Sequence, residues 1–190
     1  MEFRDIVFDD GRPSGWRVKP WAIPENICDA LMRALVPPRE GGACPLGVKW
    51  AKGEHVIYGH DRSTPRLVAM VATDPRISYT FSGSTQPSQP MPDYLRELMA
   101  YVNAVVRLDY PDAPEFNTIY MNWYRDGEDH IGYHHDREEG KMPYVVTLTC
   151  HYAGATGDQL RRFVIQDQDQ KSRTAEECLG LRSTRPVAQD

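Results

Sequence analysis

The stretch NTIYMNWYRDGEDHIGYHHDREEG (117–140) carries the strongest structural signal in the sequence. Its first eight residues are rich in β-branched and aromatic side chains, which is typical of a strand. Alternate residues of a strand face the same side. One face of the predicted strand therefore carries Thr118, Tyr120, Asn122 and Tyr124, and the other carries Ile119, Met121 and Trp123. The turn RDGEDHIG follows it.

Metal-binding side chains come directly after this turn. His134 and Asp136 are separated by one residue, and residues i and i+2 of an extended chain point the same way. Two imidazoles and one carboxylate on one face are the ligands of a mononuclear non-haem iron site. The alternative interpretation is a polar turn with solvated histidine and aspartate, and H-x-D alone does not decide between the two.

Asn122 and Tyr124 precede the motif on a shared strand face. An amide and a phenol can both hydrogen-bond a small carboxylate co-substrate beside a metal. The alternative is a polar pair that only holds the strand in place.

Apolar spacing predicts two helices. The first begins after Pro24 and ends at Pro37-Pro38, with Ile27, Leu31 and Leu35 on its apolar face. The second begins at Pro92-Asp93, because proline and aspartate suit a helix start. Its apolar stripe is predicted to contain Leu95, Leu98, Val102 and Val105.

The remaining chain predicts short strands and loops. A loop-rich region with short apolar pieces follows the first helix, at VKW (48–50) and HVIY (55–58). WRVKPWAI (16–23) is predicted to be extended. Strands are predicted at RISYTFSG (76–83), PYVVTLTCHY (143–152) and RRFVIQ (161–166). Residues 168–190 are polar and show no periodicity, so we expect a flexible tail beyond a domain at 1–167.

Composition narrows the class of protein. The chain has 190 residues with 41% hydrophobic residues, which fits one packed domain. No apolar run reaches the roughly 18 to 20 residues that a membrane span needs. The N-terminus lacks a signal-peptide pattern, and the four cysteines include no C-x-x-C, so we expect an intracellular protein with reduced thiols. We also expect a monomer.

The net charge of −5 excludes a globally basic coat for nucleic acid. A local basic patch is compatible with it, and scattered surface arginines are the alternative. The cations that such a patch would gather are Arg62, Arg66, Arg125, Arg137, Lys141, Arg161 and Arg162.

Taken with its flanks, FNTIYMNWYRDGEDHIGYHHDREE (116–139) resembles the core of the AlkB-like 2-oxoglutarate/Fe(II) dioxygenases, particularly the DNA alkylation repair branch. TPRLVAMVATDPRISYTFSGSTQ (64–86) is similar to the nucleotide-lid region of that family. PYVVTLTC and RRFVIQ resemble the next two strands. The resemblance covers roughly residues 60–166 and implies an α+β fold, in which helices pack outside a jelly-roll-like double-stranded β-helix.

The resemblance also implies residue roles. Fe(II) and 2-oxoglutarate would be the cofactors, and alkylated DNA the partner, with RNA as a second candidate. His134 and Asp136 match iron ligands, and Asn122 and Tyr124 match residues that bind 2-oxoglutarate. Substrate-binding roles are implied for Phe81, which would stack on the flipped base, and for Arg66, Tyr79, Ser82 and Glu138.

The sequence departs from the family pattern at its C-terminal side. The family carries a second iron-binding histidine and two arginines there, whereas the last histidine here is His151. Arg182 and Arg185 do not match the expected arginine pattern. Three hypotheses follow: a truncated or frameshifted chain, a degenerate relative that binds nucleic acid without chemistry, or a substitute ligand among His130, His135 and His151. A zinc site built from His130, His134, His135 and Asp136 is a further alternative.

Overall fold

The computed structural model describes residues 4–7, 13–18, 23–57, 60–81, 84–131, 145–151, 164–166 and 172–174. One compact unit comprises Arg33–Thr147, and another comprises Met1–Met32 with Leu148–Asp190. The helices are α1 (Glu25–Leu35) and α2 (Asp93–Asp109). The strands are β1 (Arg4–Val7), β2 (Pro13–Val18), β3 (Gly42–Ala43), β4 (Lys49–Ile57), β5 (His60–Ala72), β6 (Ser78–Phe81), β7 (Ser84–Pro87), β8 (Gln89–Pro90), β9 (Thr118–Trp123), β10 (Val164–Gln166) and β11 (Ser172–Thr174).

The main sheet is built around β5. This strand pairs antiparallel with β4 and β9 and parallel with β8, while β3 extends the sheet beyond β4. The segment LVAMVA (67–72) of β5 is at most 2% exposed at every residue. A continuous apolar run of this kind is typical of a strand covered on both faces. The prediction of a loop-rich region here was therefore wrong. A strand that is buried on both faces shows no alternation of apolar and polar residues.

A bulge interrupts the pairing of β5 with β4. Three consecutive β5 residues, Thr64, Pro65 and Arg66, face the single β4 residue Gly53. Pro65 has no N–H to donate to a ladder, which favours a bulge at this point. The Gly53 N–H instead donates to the Thr64 hydroxyl at 2.9 Å, and that hydroxyl donates to the Arg66 carbonyl at 2.9 Å. The Thr64 side chain thus satisfies one N–H and one carbonyl of the bulge.

Both predicted helices are confirmed. The α2 helix starts after Pro92, which is its N-cap, and the buried residues are Leu95, Met99, Val102 and Val106. The predicted stripe is confirmed at Leu95 and Val102, and Leu98 is partly buried and packs against the buried residues Val102 and Val106. Val105 is only partly buried, and Met99 and Val106 are buried in addition. Spacings of four, three and four residues follow the 3.6-residue turn more closely than the predicted spacing did.

The other strand predictions had mixed outcomes. Strands β9, β6 and β10 fall inside the segments predicted for them. The strand predicted at 143–152 was wrong over residues 145–151, none of which lies in a strand. Within the predicted tail, Ser172–Thr174 forms a strand paired antiparallel with Val164–Gln166, which was not foreseen. The domain boundary at residue 167 stays a prediction.

Helices and a mainly antiparallel sheet together confirm the α+β class. Neither of the two helices in the described part of the chain is long and apolar enough to cross a membrane.

Candidate active site

The polar face of β9 lies beside the central strand. Asn122 pairs with Val68 of β5, and Tyr120 pairs with Met70. Antiparallel partners share a face of the sheet, so the amide and the phenol project from the same side. The Asn122 side chain is exposed, and Tyr120 and Tyr124 are partly buried.

Arg66 crosses from β5 to this face and contacts Asn122. The Arg66 Nε donates a hydrogen bond of 2.6 Å to the Asn122 Oδ1. A guanidinium can only donate, so the amide must turn its oxygen toward Arg66. The Asn122 Nδ2 group, which is a donor, then faces elsewhere on an exposed side chain. Arg66 itself is only 6% exposed.

The loop between β9 and the H-x-D motif is held by a nearly buried ion pair. Asp129, which is 3% exposed, accepts hydrogen bonds from the Arg125 backbone N, Nε and Nη2 at 2.7 to 2.9 Å. The Asp129 carboxylate raises the pKa of Arg125 above its ordinary value. Asp126 Oδ1 accepts from the Glu128 and Asp129 amides.

The end of the same loop is fastened to the β5 bulge. The His130 N–H donates to the Pro65 carbonyl at 3.2 Å. In return, the Arg66 Nη1 donates to the His130 carbonyl at 3.3 Å. The bulge thus fixes the chain four residues before His134. Bulges near functional sites commonly re-aim a side chain, and here Arg66 is the bulged residue that reaches the loop.

An aromatic pair lies on the Tyr120 side of the site. The rings of Tyr79 and Tyr120 meet edge to face, with centroids 5.9 Å apart. Burial raises the pKa of Tyr120, the positive charge of Arg66 lowers it, and Tyr79 and Tyr124 add smaller increases. The dominant effect is desolvation, so Tyr120 stays a neutral phenol at physiological pH.

Several predicted site residues lie outside the described residues, namely Ser82, His134, Asp136 and Glu138. Phe81 is the last residue of β6. His130 is exposed, and its Nδ1 lies 2.9 Å from the Glu128 carbonyl. Within the described ranges, no group of three or more histidine, cysteine, aspartate or glutamate side chains is arranged to hold a metal. The iron-ligand assignments stay predictions.

Two contributors to the site were not singled out from the sequence. Tyr120 has a signal there, since it alternates with Asn122 and Tyr124 on one strand face. Asp129 has none, because nothing in RDGEDHIG distinguishes its buried carboxylate from those of Asp126 and Glu128.

Comparison with known proteins identifies an oxygenase family and related DNA demethylases. Residues 43–149, more than half of the chain, match the profile described as the 2OG-Fe(II) oxygenase superfamily. The chain is 29% identical over 118 residues to the DNA oxidative demethylase ALKBH2 of Homo sapiens and 34% identical over 117 residues to that of Mus musculus. These matches cover 62% of this chain, 41% of the human protein and 44% of the mouse protein. The chain therefore spans less than half the length of these relatives.

Proposed function

This chain belongs to the 2OG-Fe(II) oxygenase superfamily, and from that premise we propose that it removes N-alkyl groups from DNA bases by oxidation. Fe(II) would be the bound metal, and O2 and 2-oxoglutarate would be consumed as co-substrates. RNA is a second candidate substrate. The observation that carries the proposal is the Asn122 amide, whose oxygen is held by Arg66. Its exposed N–H donors, beside Tyr124, suit a carboxylate co-substrate.

The donor types in H-x-D fit ferrous iron. A neutral imidazole from His134 and a carboxylate from Asp136 are two of the three ligands that a facial non-haem iron site uses. When bound, iron and 2-oxoglutarate would activate oxygen, and the protein would supply binding and orientation. The ion pair of Arg125 with Asp129, together with the His130–Pro65 hydrogen bond, would hold the entry to this motif.

Asn122 and Tyr124 would bind 2-oxoglutarate by donating hydrogen bonds to its carboxylate oxygens. Such bonds to a charged acceptor are about twice as strong as those between neutral groups. This fit is chemical, because both side chains carry donors, Asn122 near the end of β9 and Tyr124 directly after the strand.

A flipped base needs an aromatic wall, because an aromatic face offsets the stacking lost from the duplex. Phe81 would stack on the base, and Tyr79, which already contacts Tyr120, would form a second side of the pocket. Ser82, Glu138 and Arg66 would complete the substrate-binding set. Closure of the sheet into a double-stranded β-helix is part of the same proposal.

A binding module is the second candidate function. The sequence has six histidines, and none follows His151. A chain that lacks a third iron ligand would keep the base pocket and bind nucleic acid without turnover. In that case binding would not depend on Asp136.

The two functions separate in one set of assays. We expect the wild-type chain to release formaldehyde from an N-methylated DNA oligonucleotide when Fe(II) and 2-oxoglutarate are both present. Release should fall to background in His134→Ala and persist in His60→Ala, which changes a histidine outside the motif. Absence of formaldehyde from the folded wild-type chain would overturn the enzymatic proposal. Oligonucleotide binding that survives Asp136→Ala would then favour the binding module.

A further inference from the structure

We propose that Arg66 is a positioning residue, which orients the Asn122 amide so that its N–H groups face the carboxylate of 2-oxoglutarate. This role rests on the proposed function and differs from the predicted contact of Arg66 with a nucleotide. Arg66 would act through Asn122, without touching the co-substrate.

The chemistry of an amide makes its orientation decisive. An asparagine side chain offers an acceptor oxygen on one side and donor hydrogens on the other, and the two ends are nearly equal in size. If the oxygen faced a carboxylate, the two would repel. The Arg66 Nε, at 2.6 Å from Oδ1, accepts no hydrogen bond and therefore excludes that orientation.

Arg66 is held in place more firmly than a surface arginine would be. Its side chain is buried, it belongs to the bulge in β5, and its carbonyl accepts from the Thr64 hydroxyl. Its Nη1 also donates to the His130 carbonyl, which fixes the plane of the guanidinium. A rigid donor plane gives a rigid amide.

The charge of Arg66 favours the same ligand. Its hydrogen-bond acceptors among the described residues, the Asn122 amide and the His130 carbonyl, are neutral oxygens. Among the ion pairs between described residues, none involves Arg66. The positive charge of the buried guanidinium, which lies next to the amide, favours an anion at the amide hydrogens.

The test is a double-mutant cycle read by binding. The dissociation constant of 2-oxoglutarate is measured by calorimetry with Mn(II) present and nucleic acid absent, for wild type, Arg66→Lys, Asn122→Ala and the double variant. Lysine keeps the charge, but its single ammonium lacks the planar fork that bonds the Asn122 oxygen and the His130 carbonyl at once, so the amide is no longer held in one plane. We expect Arg66→Lys to weaken binding roughly tenfold, as loss of a hydrogen bond to a charged group does. On the Asn122→Ala background the same change should add nothing.

Arg76→Lys is the matched control, because Arg76 is exposed and pairs with Asp74 at the surface. It should leave 2-oxoglutarate binding unchanged. Additive effects of Arg66→Lys and Asn122→Ala would overturn the inference, as would wild-type affinity in Arg66→Lys. If the wild-type chain binds no 2-oxoglutarate at all, the proposed function fails first and the inference falls with it.

Asn122→Asp covers the case in which Arg66 variants fail to fold. Aspartate still accepts from Arg66, and more strongly, but it has no hydrogens to donate. We expect a melting temperature at least equal to that of the wild type, with 2-oxoglutarate binding weakened more than tenfold. Wild-type binding in this variant would show that the amide donors are not used, and would overturn the inference.

Discussion

Two runs of equal length that both contain Leu and two Val lie in opposite environments. LVAMVA (67–72) lies in β5, is hydrogen-bonded along both edges and is at most 2% exposed. VVTLTC (145–150) contains more of the β-branched residues that favour strands, yet it lies in no strand, and Val145, Val146 and Leu148 are 38 to 54% exposed. Strand propensity reflects a fit to a half-buried surface rather than a backbone preference. The difference therefore lies in the partner strands and not in the runs themselves.

The largest expected effect compares one leucine from each run. Leu67→Ala removes a fully buried side chain and leaves a cavity, which should lower the free energy of unfolding by about 2–5 kcal/mol. Leu148→Ala, at 39% exposure, should change it by less than about 0.5 kcal/mol. Urea denaturation of the two variants measures both values. Equal losses would mean that the two runs are equally packed, and the comparison would break.

The second prediction concerns the loop that the β5 bulge fastens. Asp129→Asn removes the charge of the carboxylate that pairs with Arg125, and the Asp129 side chain is 4% exposed. The substitution should lower the free energy of unfolding by about 1.5–3 kcal/mol. Glu115→Gln disrupts the surface pair with Arg107, in which the side chains are 67% and 49% exposed, and should cost less than about 1 kcal/mol. Thermal denaturation of both variants compares them. A larger loss from Glu115→Gln would contradict the conclusion that the ion pair of Arg125 with Asp129 holds the loop after β9.

A third test compares two glycines on either side of β3, of which Gly41 directly precedes the strand and Gly47 lies in the turn to β4. Gly41 has φ +96°, and an added Cβ would lie 2.7 Å from the Trp50 carbonyl oxygen. Gly47 has φ +78°, with nothing within 4 Å of that position. Gly41→Ala should therefore cost about 2 kcal/mol, and Gly47→Ala about 1 kcal/mol, because only the first adds a clash to the backbone strain. Chemical denaturation measures both free energies of unfolding. Equal losses would mean that residue 41 can move away from the Trp50 carbonyl of β4 without cost.

The last prediction concerns Cys150, the one residue of the run 145–150 that is partly buried, and its effect appears only at alkaline pH. Burial raises the pKa of the Cys150 thiol to about 12, and Cys28, whose Sγ lies 3.6 Å away, adds to the shift. The folded chain thus holds this proton more tightly than the unfolded chain. The resulting stabilisation is complete below about pH 9 and is lost as the pH rises toward 12.

Urea midpoints measured under reducing conditions at about pH 8 and pH 10.5 test this dependence. We expect a fall with pH in the wild-type chain that is smaller in Cys150→Ala. Cys44→Ala, which alters another buried cysteine, should retain the wild-type slope. An unchanged slope in Cys150→Ala would show that the thiol is as open to water as its neighbours Val145 and Val146.

Local signals accounted for much of the fold. Both helices and strand β9 were predicted because periodicity and helix-start residues act within a few turns. Strand β5 was missed because a run buried on both faces shows no alternation. The strand at 143–152 was expected from composition, but pairing depends on residues far away in the sequence. For the candidate site, alternation predicted that Asn122 and Tyr124 share a face, and their role in binding stays a prediction. The contact of Arg66 with Asn122 could not be predicted, because it joins residues 56 positions apart.

The bulge at residues 64–66 has a consequence for how the sheet finds its alignment during folding. A shift of the strand register by one residue normally exposes an apolar face. LVAMVA is apolar on both faces, so its hydrophobic pattern does not disfavour such a shift. The Thr64 hydroxyl bound to Gly53 and the Arg66 guanidinium bound to Asn122 supply what the run lacks, since each finds its partner in one alignment only. A misaligned sheet would bury a charge without its acceptor. The polar residues 64–66 of β5 thus help to fix the register of the apolar residues that follow them.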